Sequence, residues 1–351
     1  MKFSIYIVFL GLLLLACKED PLPEPDNTGG KEGLLLLNEG LFQQNNASLS
    51  FIDSEDAITN DYFLQQNERL LGDTGNDMIV YGGKVYIVVH ASSTIEVLDK
   101  SSLKSVKQIN LQHQGVNQLP RFVVGHGAFI YVSTYDGFVN KIDTSSFTVS
   151  NRVAVGNNPE GLAISNDKIF VANSGGLNSP NYDSTVSVID LATLQVTDEI
   201  FIGANIGELT VDSEGDVYVV KRGNYSNDPS ELFVLDAQNN YQKSNLGIAA
   251  TSLFMDEDDK LWIAHLNYGN NTSNVAVIDA ASETVLSSNF INASDIQSLY
   301  GIFVDEEYLY CMDARGFTLT GNLKKYNKNT GVFVEEFDTG LNPNTLVKIK
   351  N

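Results

Sequence analysis

Short apolar runs that end in Asp or Asn recur along the whole chain. They are SFIDS at Asp53, EVLDK at Asp99, NKIDT at Asp143, SVIDL at Asp190, FVLDA at Asp236, AVIDA at Asp279 and KKYNK at Asn327. The successive spacings are 46, 44, 47, 46, 43 and 48 residues. A second apolar run precedes each one: LLLLN (34–38), VYIVV (85–89), IYVST (130–134), IFVAN (169–173), VYVVK (217–221), LWIAH (261–265) and LYCMD (309–313). A third follows each Asp after a short turn, as in SLKSVKQI and SFTVSNRV. A fourth opens most units, as in DMIVY, RFVVG, GLAIS, LTVDS, SLFMD and GIFVD. Runs of this length, rich in β-branched and aromatic residues and bounded by turn residues, are strands. Four short strands in a unit of roughly 45 residues are the signature of a propeller blade. The first unit lacks its opening strand, and the chain finishes on NPNTLVKIK. The expected fold is therefore all-β, a seven-bladed β-propeller closed by pairing residues 343–349 with Leu34–Asn38. Closure of this kind removes the exposed edges of a linear array.

With strands A to D numbered from the channel outward, the B-to-C loops and D-to-A connections share one face. Blades two and three have tight B-to-C loops, HASS and TYDG. Blades four, five, six, seven and one carry ANSGGLNSPNYDST, KRGNYSNDPS, HLNYGNNTSN, DARGFTLTGN and NEGLFQQNNAS. A two-residue turn joins antiparallel strands at lower entropic cost than inserts of this length. Five adjacent inserts on one rim form a crescent where ligand-binding loops are expected. Aromatic residues recur in them: Phe42, Tyr182, Tyr225, Tyr268 and Phe317. Aromatics among Asn, Ser and Gly are typical of adaptable binding surfaces. The mouth of the channel adds Asn76, Asp77, Arg121, Glu160, Glu208, Tyr300 and Asn344 from the D-to-A connections. Strand-B ends add Asn38, Glu39, Asn173, Lys221, His265 and Asp313, and the loops add Gln44, Tyr135, Asn267 and Arg315. Each of these polar groups is equally expected to pair with a neighbour or cap a loop.

Composition narrows the partners. The 351-residue chain has 22 Lys+Arg against 44 Asp+Glu, a formal charge of −22. That surface repels phosphate backbones, which argues against nucleic acid. The N-terminus carries Lys2 and then FSIYIVFLGLLLLA, an apolar stretch of signal-peptide length. It ends at Leu14-Leu15-Ala16-Cys17, which resembles a bacterial lipobox, so residues 1–16 are expected to be a lipoprotein signal peptide and Cys17 the lipidated residue. Acyl chains would hold such a protein at a membrane surface. KEDPLPEPDNTGGKEG completes a solvated tether over 17–33, with 34–351 as the propeller. Lys18-Glu19-Asp20 resembles the acidic export tags of Bacteroidetes surface lipoproteins, which implies an outward-facing outer-membrane location.

Motifs of catalysis are sparse. The four histidines, His90, His113, His126 and His265, have no metal-ligand spacing, and no metal or cofactor is expected. Cys311 lies in a strand pattern and reads as a small buried hydrophobe. DSEGD (212–216) and DEDDK (256–260) lack the EF-hand spacing and fall where A-to-B turns belong. No G-x-S-x-G elbow is present.

The segments LLLNEGLFQQNNASLSFID and GNDMIVYGGKVYIVVHASSTIEVLD resemble the YVTN/YncE-like propellers, and more narrowly the DUF5074 group of Bacteroidetes surface lipoproteins, over residues 34–350. The resemblance implies a ligand-capture protein. Some members of that group are BtuG-like cobalamin-binding lipoproteins that sit over a TonB-dependent outer-membrane transporter and pass the vitamin to it. A corrinoid ligand and such a transporter are thus the implied partners. A broad corrin fringed with amides suits a wide face of uncharged donors, acceptors and aromatics. Two other classes stay open: a protein- or glycan-binding adhesion module using the same rim, and a propeller hydrolase, lactonase or quinoprotein.

Overall fold

The computed structural model describes residues 30–350; the signal segment, Cys17 and the tether up to residue 29 lie outside them. Seven four-stranded antiparallel sheets follow one another around a central axis. Their inner strands are Gly75–Tyr81, Pro120–His126, Pro159–Ser165, Ile206–Val211, Ser252–Met255, Leu299–Val304 and, for blade one, Pro343–Ile349. Each inner strand packs against the next, and the last returns to the first, so the ring is closed. Leu35 pairs with Val347 and Leu36 with Leu346, which places the C-terminal strand inside blade one as its sequence pattern implies.

Burial follows the radial order of the strands. The second strand of blade four, Lys168–Asn173, is buried at every position after the first, whereas its outer strand, Gln195–Phe201, is almost wholly exposed. Alternate side chains of a middle strand enter the two flanking gaps between blades. Val217 and Val219 meet Phe170 and Ala172 of blade four, while Tyr218 and Val220 meet Leu261 and Ile263 of blade six. Seven apolar clusters result, one in each gap, so the core is a ring of interfaces between neighbouring sheets.

The recurring Asp or Asn closes every C-to-D turn. Its side-chain oxygen accepts backbone N–H bonds two to four residues on: Glu55 and Ala57 to Asp53, Ser102 to Asp99, Ser145 and Ser146 to Asp143. The same bonds run from Thr193 to Asp190, from Gln238 and Asn239 to Asp236, from Ser282 to Asp279 and from Thr330 to Asn327. The repeat therefore marks a turn that satisfies its own donors. The A-to-B turns at 212–216 and 256–260 are built similarly. Asp256 Oδ1 accepts from the Asp258 and Lys260 amides, and its Oδ2 accepts from the buried Trp262 indole at 2.9 Å.

Three features depart from the simple pattern. The outer strand of blade one is only Ile58–Thr59 and is continued by a short helix, Tyr62–Asn67, whose Tyr62 and Phe63 join the core beside Leu37 and Val85. A hairpin of Gln112–His113 and Val116–Asn117 stands between blades two and three, the two with tight B-to-C loops. The blade-six insert, expected as a loop, is mostly a longer hairpin: strands Lys260–Asn267 and Thr272–Asp279 pair to their tips, Asn267 against Thr272. Among the described residues no helix is long and apolar enough to cross a membrane.

Candidate functional site

Backbone irregularity positions the mouth residues. In six blades the pairing of strands A and B shifts register at the upper end, and blade six alone pairs regularly there. The residues skipped by these bulges include Asn76, Arg121, Glu160, Glu208, Tyr300 and Asn344. A bulge re-aims a side chain out of the ladder. Here it turns one polar residue toward the mouth of the channel in each of those six blades.

Most of these groups bond to the neighbouring blade. Asn344 Nδ2 donates to the Gly75 carbonyl at 2.9 Å, and Asn76 Nδ2 donates to the Arg121 carbonyl at 2.6 Å. Arg121 and Glu160 form a two-pronged ion pair, Nε to Oε2 at 3.0 Å and Nη2 to Oε1 at 3.2 Å, and the Tyr135 hydroxyl donates to the same carboxylate. Arg121 also lies over the Tyr135 ring, 4.8 Å from its centre. Asp77 accepts the Val123 amide of the next blade at 2.9 Å, Glu208 accepts the Leu253 amide at 2.9 Å, and Glu39 accepts the Tyr300 hydroxyl at 2.6 Å.

Burial sets the protonation of this ring. It pushes Asp77 up to about 6 and raises Glu39 and Glu208 against the hydrogen bonds that lower them. Burial acts the same way on Glu160, but the charges of Arg121 and Arg222 with the hydrogen bonds from Tyr135 and Arg121 together outweigh it and hold that carboxyl below its usual range. Desolvation lowers His90 to about 4 and also lowers His265, so both imidazoles are disposed to be neutral near pH 7.

The open site lies chiefly between blades five and six and reaches across the mouth to Arg121 of blade three and Tyr300 of blade seven. A cavity of 540 Å³ there is lined by Arg121, Glu208, Tyr225, His265, Asn267, Tyr268 and Tyr300, together with Arg222 and the loop residues Ser226, Asp228, Pro229 and Ser230. That size suits a small molecule or one edge of a larger one. The blade-five loop is shaped by Asn224, whose Oδ1 accepts from the Ser226 and Asp228 amides. Tyr225, next after Asn224, has φ 56° and is 57% exposed. Tyr268, 54% exposed, meets it edge to face at 5.6 Å. Tyr300 and Phe317 form a second edge-to-face pair, at 5.1 Å, between the mouth and the blade-seven loop.

The remaining sequence candidates are placed elsewhere. Asn38 and Asn173 are fully buried and bind hydroxyls of their own sheets, Ser48 and Ser50 for Asn38, Thr185 and Ser187 for Asn173. Lys221 is buried between Asp228 and Glu231, 2.6 Å from each. Its successor Arg222, just past the end of the strand, is the residue that lines the cavity, and no motif in the sequence singled it out. Arg315 donates to Asn322 within its own blade at 3.1 Å. Tyr182 is half-buried with its hydroxyl on Ser179, and Phe42 projects from the blade-one loop beside Gln44. Cys311 is buried and free, and desolvation pushes its thiol up. No cluster of three or more His, Cys, Asp or Glu side chains suited to a metal ion occurs among the described residues.

Fold and site together define a seven-bladed propeller with one uneven face that carries a single-sided cleft. The chain belongs to the family described as Domain of unknown function (DUF5074), whose sequence model matches residues 32–239. No curated protein matches it. It is similar to a quinonprotein alcohol dehydrogenase-like protein from Bacteroides thetaiotaomicron, at 14% identity and TM-score 0.66 over 92% of this chain and 80% of that one. It is also similar to Kuenenia stuttgartiensis hydrazine synthase, at 15% identity and TM-score 0.61 over 76% of this chain and 87% of that one. At such identities the likeness is one of fold.

Proposed function

We propose that this protein is a lipid-anchored capture protein that holds a ring-bearing small molecule in the cleft between blades five and six, with a corrinoid as the ligand. The observation that carries the reading is the cleft itself. It is open to solvent, walled by two half-exposed tyrosines that meet edge to face, and edged by uncharged Asn267, Ser226 and Ser230 beside His265. Half-exposed aromatics offer apolar area at little conformational cost, and the neighbouring amides and hydroxyls match a ligand fringed with amides. The cavity is smaller than a whole corrin, so the ligand would seat one edge there and lie across the mouth toward Tyr300.

A protein partner over the same face extends the proposal. Phe42, Leu177 and Leu319 are exposed in the inserts of blades one, four and seven. Apolar side chains ringing a site favour a protein docked over it. A TonB-dependent transporter of the outer membrane is the partner that the family resemblance suggests, with Cys17 as the lipid anchor.

Calorimetric titration of the purified protein with cyanocobalamin and cyanocobinamide tests the ligand. The expected result is binding with Kd of about 1 μM or tighter. Absence of heat with both ligands, at concentrations near 1 mM (about a thousandfold higher), would remove the corrinoid reading.

A further inference from the structure

One charged group in the cleft has donors that the chain leaves unused. Arg222 opens the blade-five insert, and its backbone amide is fixed on the Asn205 carbonyl at 2.9 Å. Its side chain is only 22% exposed. The carboxylate oxygen that approaches it, Glu160 Oε1, stands 3.7 Å from Nη1, beyond hydrogen-bonding reach. That carboxylate is already occupied by Arg121 and Tyr135. Among the described residues no acceptor takes any of the guanidinium's five N–H groups in hydrogen-bonding geometry.

The guanidinium is nonetheless held in place. It lies flat on Gly207, where an added Cβ would sit 2.5 Å from Nε, 2.8 Å from Cζ and 3.1 Å from Nη2. Gly207 belongs to the strand-A bulge of blade five, so the bare backbone makes the shelf and the bulge sets its height. The guanidinium still reaches solvent, and a planar fork whose N–H groups have no protein acceptor is suited to two-pronged contact with an oxyanion. The other titratable groups facing it are committed elsewhere. Arg121 is paired with Glu160, Glu208 holds the Leu253 amide, Asp228 is tied to Lys221 and His265 is disposed to be neutral. Burial lowers the Arg222 pKa and the surrounding carboxylates and tyrosines more than restore it, so the group stays charged.

We propose that Arg222 is the specificity-determining residue of the cleft and selects ligands that carry an oxyanion, a phosphate or a carboxylate, beside the ring held by Tyr225 and Tyr268. The proposal rests on the cleft being the binding site, and not on the ligand being a corrinoid.

Three simple probes test it on the purified full chain: 1-naphthyl phosphate, 1-naphthoate and uncharged 1-naphthol, titrated by ligand fluorescence. The wild type is expected to bind at least one of the two anions about tenfold more tightly than naphthol, the arm that wins separating phosphate from carboxylate. In Arg222→Gln the preference should fall to about onefold, with naphthol affinity changed far less and melting somewhat below the wild-type temperature, because Glu160 loses part of its compensating charge. Arg222→Lys keeps the charge without the fork and should retain only part of the preference. Gly207→Ala, which lifts the guanidinium off its shelf, should reduce it too. Equal affinity for the three probes in the wild type, a preference that survives Arg222→Gln, or no binding of any probe would overturn the proposal. Failure of the corrinoid titration alongside an Arg222-dependent naphthyl preference would remove only the corrinoid reading. Corrinoid binding without that preference would remove only this one.

Discussion

The two faces of the wheel solve the same problem in opposite ways. Each blade must reverse direction between strands C and D on the lower face and between B and C on the upper one. Below, all seven reversals use one device, an Asp or Asn whose side-chain oxygen accepts the amides of the next few residues. Above, the reversals share no common chemistry. Blade three closes on Thr134 and Asp136, blade five winds around Asn224, and blade six extends its hairpin to Asn267. The carboxyl groups record the difference. Hydrogen bonds in the lower turns pull Asp99, Asp143, Asp190 and Asp279 below the usual range. Burial at the upper mouth instead pushes Asp77 up to about 6. What repeats holds the wheel together; what does not repeat surrounds the cleft.

That contrast is open to direct attack. The largest effect is expected from ending the chain after Asn342, which removes the inner strand of blade one and the contacts of Leu346 and Ile349 with two flanking clusters. The truncated protein should lose its cooperative unfolding transition by circular dichroism; a normal transition would show that closure is dispensable. Next comes Asp256→Ala on the lower face. It strips two turn amides and leaves the Trp262 indole without its acceptor, at a cost of about 2–4 kcal/mol by chemical denaturation. Ligand affinity should not change. The upper face should show the converse: Tyr225→Ala with Tyr268→Ala weakens ligand binding by about tenfold or more and leaves the denaturation midpoint almost unmoved, because both rings are half-exposed. Asp236→Ala, which uncaps one lower turn in blade five, should cost about 1 kcal/mol.

The smallest effect is in pH. Raised in the folded state, the Asp77 carboxyl contributes stability that is complete below its unfolded value of 3.8 and is lost as pH rises through about 6. Asp143 has the opposite sign. Its contribution is present above the unfolded value and is lost as pH falls through its lower folded value. Carboxyl-detected NMR titration should find Asp77 still changing state near pH 6, when Asp143 has long been ionised.

Much of the wheel is legible in the chain because its causes are local and repeated. The spacing of the turn Asp marks the blades, and Leu34–Asn38 with residues 343–349 betray the closure as two strands that lack a neighbour. The site is harder to read, since it depends on features with no periodic signal. The bulges that aim Glu160 and Tyr300 come from a one-residue shift against the next strand. Lys221 and Arg222 are adjacent cations at a strand end, and tertiary packing alone sends Lys221 to Asp228 and Glu231 and Arg222 to the cavity. Asn38 and Asn173 look like rim ligands in sequence, but they complete hydroxyl networks inside their own sheets. One signal for Arg222 was available in retrospect: a cation just past a buried strand position, at the start of an aromatic insert.

The central claim is that ligand is held on the insert-bearing face, in the cleft of blades five and six. Hydrogen–deuterium exchange with and without cyanocobalamin tests it most directly. Slowed exchange confined to the segments 222–230 and 265–271, with the lower turns unchanged, is the expected result. Protection centred on the lower face, or on the tight loops of blades two and three alone, would contradict it.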